Sequence, residues 1–176
     1  LQVWINGKYA GYSEDSKLSA EFDITKFVKP GKNLVALKVM RWSDGSYLEG
    51  QDMWRVSGIT RDCYLVARNQ VNLFDFKLIT DLDEKYQNAV LHTTLKLNKA
   101  SAKPVYAVVE LSDKAGVLLY RDKIAFGNKI NGKSAIAVST PKLWSAETPY
   151  LYNILIKLTD AKGKVTEAIP KRIGFT

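Results

Sequence analysis

Between Val71 and Ile173, apolar side chains recur at every second position in seven short runs, each closed by turn residues. Only an extended backbone sets alternate residues on one face, so this pattern commits the segment to β-structure. The predicted strands are Val71–Thr80, Asn88–Leu97, Pro104–Leu111, Val117–Ile124, Ser134–Thr140, Leu151–Leu158 and Val165–Ile173. Asp113-Lys-Ala-Gly116, Asn131-Gly132 and Asp160-Ala-Lys-Gly163 read as turns between them. Seven short strands over about 105 residues suggest an immunoglobulin-like β-sandwich. In the second run Ala89, Leu91, Thr93, Leu95 and Leu97 should face the core, and His92, Thr94 and Lys96 should face water. No segment of ten residues or more carries a helical repeat, so the fold class is all-β.

The chain before this sandwich is organised differently. Val3-Trp-Ile5 runs into Asn6-Gly7, a dipeptide suited to the positive φ angles of a tight hairpin, and Tyr9–Tyr12 reads as the return strand. Ile24, Phe27 and Val28 fall at helical spacing for one turn, which Pro30-Gly31 stops. Leu34–Met40 then reads as a buried strand and Ile59–Ala67 as another. The polar break Arg68-Asn69-Gln70 divides residues 1–68 from residues 69–176. Residues 1–68 hold too few strands to close a core, so they read as part of a sandwich whose other half lies upstream of Leu1. Leu1 begins directly in an alternating run, which suggests a fragment of a longer chain.

Composition narrows the functional classes. The single cysteine, Cys63, excludes an internal disulfide framework, a zinc cluster and a Cys-x-x-Cys redox pair, and leaves the compartment open. No apolar run approaches the roughly 20 residues that span a bilayer, so no membrane partner is expected. The net charge of +8 raises the question of nucleic acid. Its excess, however, is lysine scattered through turns, as at Lys99, Lys103, Lys114, Lys129, Lys133, Lys162 and Lys164, rather than a basic stripe interleaved with aromatics. A solvated surface is the reading, with no nucleic-acid partner. His92 has no second histidine and no nucleophile placed near it, so it reads as a surface residue. Asp81, Asp83 and Glu84 lack a calcium-loop spacing and read as a solvated turn.

The segment Arg41–Asp62 departs from the rest, with two Trp, one Tyr, four carboxylates and three Arg on one connection and little alternation. Such a mixture suits a site for polyhydroxylated ligands or a rim against a neighbouring domain. Asp44, from its spacing alone, is either a turn-starting carboxylate beside Gly45 or a ligand group. Trp42, Tyr47 and Trp54 are either a stacking platform for a sugar or packing anchors. Arg41, Asp52, Arg55, Arg61 and Asp62 read as a hydrogen-bonded ion-pair lattice that holds the loop. Asp52 and Glu49 as a retaining carboxylate pair is a weak alternative, because neither has rigid support.

Trp42-Ser-Asp-Gly-Ser-Tyr-Leu48, Gln51-Asp-Met-Trp-Arg55 and Ser57-Gly-Ile-Thr-Arg-Asp62 together resemble the β-galactosidases of glycoside hydrolase family 2. Val3-Trp-Ile-Asn-Gly7, Glu21-Phe-Asp23, Pro141-Lys-Leu-Trp-Ser-Ala-Glu147 and Leu151-Tyr152 extend the resemblance over nearly the whole chain. It implies a jelly-roll sugar-binding domain, of which 1–68 is the C-terminal part, then an immunoglobulin-like sandwich over 69–176, then a (β/α)₈ barrel after Thr176. It also implies hydrolysis of terminal β-D-galactosides with retention, by two glutamates of that barrel. Thus no catalytic residue is expected here, and the fragment alone is expected to be inactive.

The resemblance assigns Asp44 to the sugar's 6-hydroxyl region and to a sodium ion, and it places magnesium elsewhere in the intact chain. Trp42, Tyr47 and Trp54 are then expected to pack against the missing barrel, and Pro141–Tyr152 to be a structural signature. The family's subunit-crossing loop is shorter here, over Asn128–Ser139, so a homo-oligomer stays open rather than implied. Rival readings are a β-glucuronidase or β-mannosidase fragment of the same family, or a free-standing carbohydrate-binding β-sandwich module.

Overall fold

The structure is a computed structural model and describes residues 1–15, 18–48 and 56–176. It divides into two compact units, Leu1–Leu65 and Val66–Thr176. All regular elements are strands except a single 3₁₀ turn at Asp44–Tyr47 among the described residues, which makes the fold all-β.

In the first unit, β1 (Gln2–Ile5) and β2 (Lys8–Tyr12) form an antiparallel hairpin, and β3 (Val35–Lys38) pairs antiparallel with β1 on its other side. The hairpin turn is the expected one: Asn6 and Gly7 have φ of 52° and 78°, the left-handed pair that matches strand twist. Asn6 also ties this turn to the next. Its amide donates to Asn33 Oδ1 at 2.8 Å and to the Phe27 carbonyl at 3.0 Å, while its Oδ1 accepts from the Leu34 N–H at 3.0 Å. The one-turn helix expected before Pro30 is present as a turn closed by the Phe27 N–H on the Ile24 carbonyl.

Two expectations fail in this unit. The strand at Leu34–Met40 exists as β3, but each of its four residues is exposed rather than buried. Only Val3 and Ile5 are buried among the described apolar residues of the unit. Alternation sorts the faces of a strand, but burial also needs a second layer, and the three-stranded sheet β2-β1-β3 has none among the described residues. Ile59–Ala67, predicted as a strand, is irregular and exposed, because it finds no ladder partner.

The second unit is a two-sheet sandwich. β4 (Leu73–Leu82), β5 (Asn88–Leu97) and β8 (Asn131–Ser139) form one sheet in the order β4-β5-β8. β6 (Val105–Ser112), β7 (Leu118–Ala125), β9 (Tyr152–Asp160) and β10 (Val165–Ile173) form the other, in the order β10-β9-β6-β7. All pairings are antiparallel. Both inner faces contribute to one core, with Leu91, Leu95, Leu97, Val109, Leu111, Ile154, Ile156, Leu158 and Phe175 fully buried. Each such aliphatic side chain contributes about 1.5–3 kcal/mol through removal from water.

The seven predicted strands are all present, and β5 and β10 have the predicted bounds. The predicted faces of β5 also hold, with Ala89 to Leu97 buried at alternate positions and His92, Thr94 and Lys96 exposed. One turn was misread: Asn131-Gly132 opens β8 instead. A Cβ on Gly132 would lie 2.7 Å from Ile124 Cγ2 and 3.0 Å from a Phe126 ring carbon, so the glycine is there to admit those side chains. Most of Asn128–Ser139 is therefore strand.

Side chains bridge the edges where the two sheets part. The Ser134 hydroxyl of β8 donates to Asp122 of β7. On the opposite edge the Leu73 N–H donates to Glu167 at 2.7 Å and the Thr80 hydroxyl donates to the Gly174 carbonyl at 3.1 Å. Pro141–Tyr152 is structural, as expected. The Trp144 N–H donates to the Phe175 carbonyl at 2.9 Å, and an added Cβ on Gly174 would stand 2.7 Å from Trp144 Cβ. Tyr152, first residue of β9, is buried against Tyr150 and Phe175, and its hydroxyl accepts the Lys142 N–H at 2.8 Å. This is the tyrosine corner of immunoglobulin-like sandwiches, in which the phenol staples the connection that enters the strand. Burial pushes the Tyr152 phenol above its ordinary pKa.

Two predictions follow from these contacts. Tyr152→Phe leaves the Lys142 N–H without its acceptor and should destabilise the chain by about 1 kcal/mol in denaturant unfolding, with the strand content unchanged. On the outer face of the larger sheet, Glu110 is enclosed by Lys157 Nζ at 2.6 Å and Arg121 Nη2 at 2.6 Å. The Lys157 hydrogen bond, opposed by burial and assisted by Arg121, holds its carboxyl below the ordinary glutamate value. The stabilisation from a depressed carboxyl is complete above the unfolded value of about 4.3 and is lost as pH falls through the folded value. Glu110→Gln should therefore be less stable than the parent by about 2 kcal/mol at neutral pH, and the difference should close in strong acid.

Candidate functional site

Within the Arg41–Asp62 segment the Asp44–Tyr47 turn is the regular element among the described residues, and it carries an exposed carboxylate. Ser43 precedes it in extended conformation with φ of −126°. The turn closes through the Ser46 N–H on the Ser43 carbonyl and the Leu48 N–H on the Gly45 carbonyl, each at 3.0 Å. The Ser43 N–H donates to the Ser46 hydroxyl at 3.0 Å, so the two serines lock each other and fix the backbone that carries Asp44.

Asp44 is exposed. Its Oδ1 accepts the Gly45 N–H at 3.2 Å, the local bond expected of a turn carboxylate, and no described residue donates to Oδ2. The group therefore has acceptor capacity left for an external hydroxyl or a hard cation. The described residues hold no group of three or more His, Cys, Asp or Glu that could bind a metal ion. Asp44 thus offers one hard-oxygen donor, which by itself does not form a cation site.

The aromatic residues of the segment, alike in the sequence reading, differ in the structure. Trp42 is 56% exposed and lies under the Arg41 guanidinium, 5.3 Å from the ring centroid. Tyr47 is 96% exposed. Trp54 lies outside the described residues, as do Glu49, Asp52 and Arg55. Of the expected ion-pair lattice, Arg41 is therefore seen against Trp42, Arg61 is exposed, and Asp62 accepts the Tyr64 hydroxyl at 2.9 Å.

The remaining candidates are structural. His92 is exposed on β5, with Nε2 3.9 Å from Asp81. Asp83 accepts the Gln87 N–H, the Asn88 N–H and the Asn88 amide, and these bonds, led by that from Gln87, hold its carboxyl below the usual range. It ties down the β4–β5 turn and leaves little capacity for an ion. An open depression of about 360 Å³ beside it is lined by Asp81, Val90, Ala137 and Ser139 among others, with no convergent set of polar groups. The sequence reading missed the ion triad around Glu110, whose only signal is a glutamate in an otherwise apolar strand at the register position opposite Arg121.

Residues 71–175 match the family described as glycosyl hydrolases family 2, and residues 1–69 match that family's sugar binding domain. A β-galactosidase of Halalkalibacterium halodurans is 42% identical over 173 residues, which cover 98% of this chain and 17% of the relative. One of Pectobacterium atrosepticum is 40% identical over 184 residues, covering 98% of this chain and 18% of the relative. The chain thus spans less than a fifth of the length of these curated relatives. Among solved structures it is similar to a β-glycosidase from Bacteroides vulgatus, with a TM-score of 0.81, 25% identity, and coverage of 99% of this chain and 22% of that one. It is also similar to the β-glucuronidase of Bacteroides uniformis, with a TM-score of 0.83, 21% identity, and coverage of 99% and 23%. That last likeness speaks for the fold alone.

Proposed function

The chain belongs to glycosyl hydrolase family 2, and on that premise we propose that it is a non-catalytic portion of a retaining β-galactosidase. What carries the reading is its 37–42% identity, over almost its entire length, to β-galactosidases of several bacteria. Residues 1–68 are proposed as the C-terminal part of the sugar-binding jelly roll and residues 69–176 as the immunoglobulin-like domain that scaffolds a barrel outside this chain. Upstream strands of the jelly roll and the barrel are its partners, and a second subunit remains open to a measurement of mass.

In the intact protein, cleavage proceeds by double displacement at the anomeric carbon. One barrel glutamate attacks while the other protonates the leaving oxygen, and water then releases the sugar with retained configuration. This chain contributes Asp44. An ionised carboxylate only accepts, so Asp44 takes a hydrogen bond from the galactosyl 6-hydroxyl region and orients the ring against the attacking group. Asp44 would also supply one hard-oxygen ligand to a sodium ion. Sodium, when bound, adds a fixed positive charge that orients hydroxyl oxygens. Magnesium, where the intact protein uses it, is proposed to bind outside this chain.

The second reading is another activity of the same family, β-glucuronidase or β-mannosidase. A panel of β-galactoside, β-glucuronide and β-mannoside substrates on the intact enzyme separates the family activities. Saturable galactose binding by the 176-residue chain in calorimetry would instead favour a free-standing carbohydrate-binding module.

The decisive test is kcat/KM for a β-galactoside in the intact enzyme, titrated with sodium, for the parent and for Asp44→Ala. The expected result is a loss of about 10²–10³-fold together with loss of the sodium response, the scale of a charge-assisted contact to the reacting sugar. Unchanged kinetics would reduce the Arg41–Asp62 segment to a structural role. The 176-residue chain alone should show no turnover, and hydrolysis of a β-galactoside by it would sink the non-catalytic assignment.

A further inference from the structure

We propose that the outer face of the β4-β5-β8 sheet is a self-association surface, covered by a second copy of this chain across a two-fold axis, a contact that stands whether or not the β-galactoside reading holds. Along β5 and β8, and along β4 from Asp75, more and less accessible residues alternate, so the accessible set lies on the outer face. The ladder registers order that face into rows. Asp81, Val90 and Ala137 form one row, and Ile79, His92 and Ala135 form the next. Lys77, Thr94 and Lys133 form a third, and Asp75, Lys96 and Asn131 a fourth.

Two features set this face apart from a solvated one. Its middle is apolar or small, with Ile79, Val90, Ala135 and Ala137 at positions that a solvated antiparallel sheet gives to polar residues. Its charges are also sorted by end rather than mixed. Asp81 stands at one end with Asp83 beyond it, and no outward strand residue there is cationic. Lys77, Lys96 and Lys133 stand at the other end, against Asp75 alone. Asp81 and Lys77 lie about 14 Å apart along β4, more than the Debye length of about 10 Å in 0.1 M salt, so the two poles are distinct.

A face with one negative and one positive pole complements itself under one rotation and not another. A two-fold axis along the strands stacks like poles on each other. An axis across the strands, through the row of Ile79, His92 and Ala135, reverses the strand direction and sets Asp81 against the partner's Lys77. The same rotation sets Ala137 against the partner's Lys133. Shape agrees with charge at that point, because Asp81, Val90, Ala137 and Ser139 line the open depression of about 360 Å³, which a lysine side chain can enter. Asp83, its oxygens taken by its own turn, adds negative potential there. Such a pair is isologous and closes on itself rather than growing into a filament. Three strands about 4.8 Å apart and nine residues long present a flat area of about 450 Å² per copy. A standard stable interface buries about 800 Å² per partner, so this association is reversible and concentration dependent.

The test is sedimentation velocity of the intact protein over a range of concentration, with thermal unfolding measured alongside. The variants are Asp81→Lys, Lys77→Asp and the two combined. Each single reversal places two like-charged pairs across the axis and should weaken self-association about 10-fold with an unchanged Tm. The combined variant restores opposite charges and should recover the parental association constant. A parent that stays monomeric overturns the proposal, as does an association constant that neither reversal changes or a combined variant that fails to recover. Lower Tm without a change of mass in both reversals also overturns it, because the face would then be covered by another part of the same protein. If Asp81→Lys alone fails to fold, Lys77→Asp and the combined variant decide.

Discussion

The dry layer between the two sheets of the second unit is the constraint on which the rest of that unit depends. Leu91, Leu95 and Leu97 from the smaller sheet meet Val109, Leu111, Ile154, Ile156 and Leu158 from the larger one, and every strand is placed by which of its faces reaches this layer. Because strand side chains alternate strictly, a slip of one residue in any pairing would turn a buried set outward. The core therefore fixes register as well as stability. The edge contacts, Ser134 to Asp122 on one side and Leu73 and Thr80 to the β10 end of the chain on the other, close what the apolar layer leaves open. Phe175 and Tyr152 extend the same core into the connection before β9 and the segment after β10.

That dependence explains which parts of the fold were legible in the sequence. In the sandwich the period-2 signal and the burial come from the same physical cause, so reading one gives the other, as β5 shows residue by residue. Asn131-Gly132 misled because glycine has two uses. At Asn6-Gly7 it supplies a positive φ, while at Gly132 it makes room for Ile124 and Phe126, and sequence alone does not say which constraint applies. In the first unit, periodicity and burial come apart. β3 has the residues of a buried strand and pairs with β1, yet it is exposed, since burial depends on what lies across the sheet and not on the strand itself.

The site was legible in a different way. Nothing in the spacing of Asp44 distinguishes a turn carboxylate from a ligand, and in the structure Oδ1 accepts from Gly45 while Oδ2 has no described donor. Its functional reading came from resemblance, and what the structure adds is the reason that the position can serve. A carboxylate that must bind a ligand cannot be neutralised by its own loop, and here the reciprocal serine bonds hold the backbone so that the acid is not needed for that purpose. Glu110 shows the opposite case, with two cations enclosing its carboxylate and little acceptor capacity remaining. Both are acidic residues in a basic chain, and only their partners separate the enclosed carboxylate from the accessible one.

The division of labour proposed for this chain follows from the same distinction. Retaining glycoside hydrolysis needs two carboxylates about 5 Å apart on rigid elements, and the proposal assigns that pair to a barrel outside this chain. A turn carrying one accessible carboxylate can still influence that chemistry, because hydroxyl contacts away from the scissile bond position the ring for attack. Such a contact must be held without being enclosed. A 3₁₀ turn locked by main-chain and serine hydrogen bonds meets that requirement with four residues and no core of its own. The sandwich meets the complementary one: its ion triad, tyrosine corner and apolar layer all serve rigidity, and none of them leaves a group free to bind.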